Sequence, residues 1–384
     1  MLLLPSRLLL VFGFLAFVGV VFAANGSAVT DNELMNQAIA DYNGGDFASA
    51  EEKINQFIER RPDLGDGYFN RALARVALEK FAEAESDLDV YLSLEPKSAP
   101  AFELRAALRL QRGNVAGALG DANVGLRLED RPELRAVRGR ILTAKGDYEA
   151  ALKDLESALA ANEDNDDARF ARGECYLQLG RLKEARDDFE VIMEYYPEWK
   201  SAIEKLGDAQ FRLLEFEAAA RLHEDLTGVN SMRDRAWRKI GYSYFALGNY
   251  ERAIEAFERS LAGEGAVFPW SAAALHLAWL NAKREGESPL VGMVERIEDP
   301  WGKAVCQMLL KQISEDRLIE IANEAADSKE QRGRLCEAYF YLGALRLPAG
   351  DKIAGRAMLA QAVATESVTF IEYTLAKAEL ARKR

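Results

Sequence analysis

Small residues recur along this chain at a spacing few folds can use. Ala50, Ala84, Ala118, Ala151, Ala185, Ala219 and Ala253 are separated by 34, 34, 33, 34, 34 and 34 residues. Ala38, Ala72, Ala106, Gly139, Gly173, Gly207 and Gly241 repeat the same steps. A period of this length marks a tandem array whose units stack on one another, each too small to bury its own apolar face. One unit shows the local physics. Trp237, Ile240, Gly241 and Tyr244 fall on one stripe of a helix, Gly248-Asn249 ends it, and Ala253 and Phe257 face back from a second helix. Small residues at 241 and 253 allow close backbone approach, and large ones fill the space beside them.

Trp237-x2-Ile240-Gly241-x2-Tyr244, Gly248-Asn249-Tyr250 and Ala253-x3-Phe257 resemble the tetratricopeptide repeat (TPR). Pro62, Pro96 and Pro197 stand at the terminal Pro of that motif in three units. The resemblance implies an all-α, right-handed α-α superhelix, a TPR solenoid. The expected units are 31–64, 65–98, 99–131, 132–165, 166–199, 200–233 and 234–267. Degenerate helical hairpins follow over 268–335, then a TPR-like unit over 336–369 with Tyr339-x2-Leu342-Gly343 and a turn at Gly350-Asp351. Residues 370–384 read as a capping helix, with Arg382-Lys383-Arg384 suited to its C-terminal end. The C-terminal stretch also resembles exported bacterial TPR proteins similar to the envelope TPR lipoprotein that acts as an adaptor.

A second periodic feature runs inside the repeats. Arg71, Arg105, Arg138 and Arg172 are each followed sixteen residues later by Asp87, Asp121, Asp154 and Asp188. Where the Arg is missing the Asp is missing too, as with Leu206 and Leu222 or Ile240 and Ala256. The two positions lie on facing helices of one hairpin, so a structural, charge-assisted pair is expected in each.

Residues 1–24 stand apart. Arg7 precedes an apolar run from Leu8 to Phe22, and Val21 and Ala23 suit cleavage before Ala24. This is a signal-peptide pattern, with an uncleaved N-terminal anchor as the alternative, and 25–30 read as a linker. Membrane contact is expected only through that segment, if it is uncleaved. The chain carries 49 Lys and Arg against 62 Asp and Glu, which argues against nucleic-acid binding. Cys175, Cys306 and Cys336 read as buried thiols, with a Cys306–Cys336 bridge left open. His223 occupies the place of Phe257 one unit earlier, which points to packing. No metal-ligand spacing, nucleophile elbow or phosphate loop appears, so neither a cofactor nor enzymatic activity is expected.

Function should therefore lie on the concave face, which in TPR arrays is lined by the first helix of each hairpin. There the resemblance implies an acidic stretch, including Glu103, Asp167, Glu174, Glu204 and Asp208, leading into an aromatic cluster. The expected partner-binding groove comprises Phe170, Phe211, Arg235, Arg238, Tyr242, Phe245 and Trp279. The carboxylate clamp of chaperone-binding TPR domains is not matched: Met35, Ile39, Pro100 and Leu104 stand where its polar residues would be. The reading is an exported, periplasmic or secreted scaffold for protein or peptide ligands. A peptidoglycan- or other polymer-binding repeat protein is the rival, and an unrecognised enzyme comes third.

Overall fold

A computed structural model describes residues 30–263 and 267–382. The signal or anchor segment and Lys383-Arg384 lie outside the described residues. None of the described helices is long and apolar enough to cross a membrane. The described residues form 21 α-helices, one short 3-10 turn and no strand.

Cα packing divides the chain into two compact units, 1–175 and 176–384. The first contains four antiparallel helix pairs: α1 (Asp31–Asn43) with α2 (Phe47–Arg60), α3 (Gly65–Ala77) with α4 (Phe81–Leu94), α5 (Ala99–Gln111) with α6 (Val115–Leu128), and α7 (Pro132–Lys145) with α8 (Tyr148–Ala161). The second helix of each of the first three pairs also packs on the first helix of the next pair. The division falls within α9 (Asp166–Gln178).

The second unit continues with α10 (Leu182–Tyr195), α11 (Lys200–Arg212), α12 (Phe216–Glu224), α13 (Arg233–Leu247) and α14 (Tyr250–Ser260). Beyond them lie α15 (Pro269–Asn281), the single turn α16 (Leu290–Met293), α17 (Pro300–Leu309) and α18 (Glu315–Asn323). The last three helices are α19 (Ser328–Arg346), α20 (Lys352–Ala364) and α21 (Ile371–Ala381).

Local chemistry sets the boundaries. Asp46, Ser98, Asn114, Asn249 and Ser314 each cap a helix by accepting a backbone N–H three residues on. Gly45, Gly113, Gly146, Gly180, Gly248 and Gly350 turn the chain at positive φ between paired helices. In the turns after α3 and α11 a non-glycine takes that place: Glu79 at φ 60° and Leu214 at φ 67° adopt the same left-handed conformation. One boundary differs from expectation. The helix expected to open a repeat at 336 begins at Ser328, because Asp327 accepts from the N–H groups of Lys329 and Glu330 and starts it earlier.

Close packing follows from the periodic small residues. A Cβ on Gly241 would lie 2.6 Å from the Phe257 ring, and one on Gly139 would lie 2.6 Å from Leu155. Phe57, Phe189 and Phe257 are fully buried, each worth roughly 1.5–3 kcal/mol of transfer free energy. All three cysteines are buried and free, so Cys306 and Cys336 are not bridged. Burial pushes the Cys175 thiol up to about 11 and the Cys306 and Cys336 thiols to about 12, which leaves them poor nucleophiles.

The Arg–Asp positions form a branched network in the first unit. Arg71 donates to Asp87 from Nε (3.0 Å) and Nη2 (2.6 Å), and its Nη1 reaches Asn55 of the preceding pair at 2.8 Å. Arg105 repeats this with Asp121 (2.9 and 2.7 Å) and Asp89 (2.7 Å). Arg138 does so with Asp154 (2.6 and 2.9 Å) and Asn123 (3.1 Å). Each carboxylate has a further cation: Arg75 for Asp87, Arg109 for Asp121 and Arg135 for Asp154. Asp188 is likewise buried.

Candidate partner-binding groove

The expected exposed aromatic strip is not what the structure builds. Phe170 in the first unit is 6% exposed; in the second, Phe211, Tyr242 and Phe245 are 7%, 1% and 2% exposed. Trp279 is partly buried against the core. Tyr242 meets Phe257 edge-on at 5.2 Å, and Phe245 meets Tyr250 at 5.5 Å. Around Tyr242 and Phe245 the chain also returns. Helix α21 packs on α19 and α20 and also lies against α13 and α11.

Arg382 fastens that return. It donates to the Tyr250 hydroxyl at 2.9 Å and to the carbonyls of Phe245 and Ala246, where α13 ends. A cation at a helix C-terminus is favourable, and the helix that benefits is α13 rather than α21 itself. Glu379 pairs with the same guanidinium.

The segment entering α21 does not close the concave side completely. Thr369, Phe370 and Ile371 stand opposite α11, α12 and α13 across a cavity of about 230 Å³, lined also by Leu177, Gln178, Lys205, Asp208, Phe211, Arg212, His223, Lys239 and Tyr242. A second cavity of about 290 Å³ shares Lys239, Tyr242 and the 369–371 wall, and adds Arg238, Phe268, Trp270 and Glu372. Phe370 is held in place against Gly333, whose missing side chain makes room for its ring.

The charges around these cavities are unevenly satisfied. Lys239 pairs with Glu204 (2.8 Å) and Asp208 (2.7 Å), and Arg235 pairs with Glu204 at 2.6 Å. Desolvation opposes the charge of Asp208, but Lys239 and His223 outweigh it and hold the carboxyl below the usual range. Arg212 is different. It donates to the Leu177 carbonyl at 2.5 Å, while Nε and Nη2 are buried without a hydrogen-bond partner. Burial lowers its pKa from the usual guanidinium value. Arg238 stacks on the Phe268 ring at 3.8 Å, and burial likewise lowers its pKa. Both nitrogens of His223 and the Tyr242 hydroxyl are buried without a hydrogen bond, although His223 Nε2 is 3.6 Å from Asp208.

His223 packs where the Phe257 analogy put it, its ring filling the space over Gly207. Of the seven groove residues, the structure brings Phe211, Arg238 and Tyr242 to the cavity walls. Arg235 remains exposed in its ion pair with Glu204. Arg212, Lys239 and the 369–371 wall were not anticipated. The first two lack a motif, and the wall exists only because the chain folds back.

Beside the second cavity lie two buried carboxyls. Trp301 donates to Glu337 at 2.7 Å and Tyr341 to Glu372 at 3.2 Å. Burial raises both above the ordinary carboxylate range, and Glu372 raises Glu337 further. Elsewhere His276 is buried against Ser288 at 2.7 Å, and burial lowers it to about 4. Among the described residues no cluster of His, Cys, Asp and Glu could hold a metal ion.

Family models described as tetratricopeptide repeat match residues 35–99, 142–206 and 204–266. A "Lipoprotein NlpI homolog" from Haemophilus influenzae is 28% identical over 225 residues, covering 57% of this chain and 71% of that protein. Among solved structures, the APC/C hetero-tetramer Cut9-Hcn1 superposes with TM-score 0.52 at 15% identity, over 71% of this chain and 51% of that one. A tetratricopeptide repeat protein from Parabacteroides merdae is 22% identical at TM-score 0.46, over 65% of this chain and 98% of the other. By the family-model matches and the stacked helix pairs, this chain carries tetratricopeptide repeats, which indicate a protein–protein interaction scaffold, and it resembles the envelope TPR lipoproteins.

Proposed function

We propose that this protein is an exported adaptor of the cell envelope that holds a segment of a partner protein in the groove of its second unit. The observation that carries the reading is the pair of adjoining cavities beside α11 and α13, whose walls include buried polar groups without partners. Buried polar groups are normally satisfied, and a run of unsatisfied ones beside open space suits a ligand that supplies the missing bonds. The apolar run at residues 8–22 and the similarity to an envelope lipoprotein support export. No pattern in the site favours catalysis: its one histidine has no nucleophile beside it, and the thiols are raised out of reactive range.

Photo-crosslinking tests this directly. Gln178 and Thr369 are exposed residues on the rim of the first cavity. A photoreactive side chain at either should yield discrete protein adducts in the native envelope, and the same group at Lys311, far along the chain, should not. Absence of such adducts, with retention on purified peptidoglycan free of protein, would replace this reading with the polymer-binding one.

A further inference from the structure

The unsatisfied groups of the groove share one chemical demand. Arg212 presents two buried guanidinium nitrogens with no acceptor, and Tyr242 presents a buried hydroxyl with none. Arg238 is stacked by its face on Phe268, and among the described residues its N–H groups make no hydrogen bond to a carboxylate, Asp234 and Glu204 attracting it only from a distance. Arg212 lines the first cavity and Arg238 the second, and the cation common to both, Lys239, is already neutralised by Glu204 and Asp208. In a chain with 62 acidic against 49 basic residues, these two partly buried guanidinium groups make no ion pair within 4 Å, although Asp208 acts on Arg212 and Asp234 and Glu204 act on Arg238 from farther away. Leaving a guanidinium desolvated without an anion is costly, whereas a carboxylate matches its planar fork.

The two sites sit in adjoining cavities with Tyr242 and the 369–371 segment as their shared wall. A chain end carries one backbone carboxylate and satisfies one of them. A segment bearing several acidic side chains satisfies both. The remaining walls, Phe211, Phe370, Ile371 and Trp270, are apolar and suit the methylenes and backbone of a peptide. Asp208 beside Arg212 and Glu372 in the second cavity would oppose the double charge of a phosphate.

We propose that the groove takes an acidic segment of its partner protein, with one side-chain carboxylate paired to Arg212 and a second to Arg238. This deepens the adaptor reading and rests on it.

The test uses the mature full-length chain and fluorescent hexaglutamate, acetylated and amidated at its ends, read by anisotropy. Hexaglutamine serves as the uncharged control, and acetylated hexaalanine with a free C-terminal carboxylate supplies the chain-end arm. Saturable binding of hexaglutamate alone is expected. Arg212→Gln and Arg238→Gln should each weaken it by about tenfold or more. Arg212→Lys and Arg238→Lys should retain more affinity than the Gln variants, and circular dichroism would show that each variant is folded. Equal binding of hexaglutamine, tighter binding of the hexaalanine acid, or indifference to both Gln variants would overturn the proposal. Envelope adducts from Gln178 or Thr369 persisting beside such a result would leave the adaptor reading standing.

Discussion

The branched ion network of the first unit predicts an unusual pattern of coupling, and Asp121 is the place to measure it. Its carboxylate is 5% exposed and accepts from Arg105 (2.9 and 2.7 Å) and from Arg109 (2.7 Å). The two cations therefore substitute for each other. Arg105→Leu removes two charge-assisted bonds but leaves Arg109, so it should cost about 1.5–3 kcal/mol. Arg109→Leu should cost a similar amount. Removing both strands a buried carboxylate, and that alone adds roughly 3–5 kcal/mol. The double variant should thus be destabilised by more than the sum of the singles. Adding Asp121→Leu to it copies the Leu206 and Leu222 arrangement of a later repeat and should return several kcal/mol. Urea unfolding of the chain gives the totals, and hydrogen exchange of amides in α5 and α6 locates the loss. Additive singles, or a triple variant no more stable than the double, would show that Asp121 is not desolvated and refute the reasoning.

The buried carboxyls Glu337 and Glu372 have pKa values raised above their unfolded ones, so the folded state holds the extra protons. Their contribution is complete below the ordinary carboxyl range and is lost as pH rises; unfolding between about pH 5 and about pH 9 should show falling stability, flattened by Glu337→Gln. An unchanged slope in that variant would place the dependence elsewhere. Gly241→Ala puts a methyl 2.6 Å from Phe257 and should cost about 1–3 kcal/mol in thermal unfolding; neutrality would mean that the hairpin opens freely. Exposed Glu79 holds φ at 60°, so Glu79→Gly should stabilise by up to about 1 kcal/mol, and a loss in the same assay would contradict the strained-turn argument.

Much of the architecture could be read from residue spacing. The alternation of helix, turn and helix follows from Ala and Gly at a 34-residue period, because the contacts involved are between neighbouring helices and recur locally. The pairing of Arg71, Arg105 and Arg138 with the Asp sixteen residues on was legible for the same reason. Even so, the second cation on each Asp, about a turn from the first on the same helix, has no constant place in the period, and the reach to the preceding pair depends on how the pairs stack.

The sequence by itself determined a repeat solenoid with a uniform hairpin core. Only the tertiary structure decided which side chains remain available on its concave side. Tyr242 and Phe245 sit at positions that a regular array leaves open, yet α21 returns against α13 and Arg382 is tied to its last carbonyls, so both rings are buried. That return leaves Arg212 and Arg238 beside two cavities instead. It joins residues more than a hundred positions apart, as in the bond from Arg382 to Tyr250, and leaves no periodic trace in the residues it brings together. Local periodicity reports contacts between adjacent units, whereas a non-local return depends on the accumulated geometry of every helix between its ends.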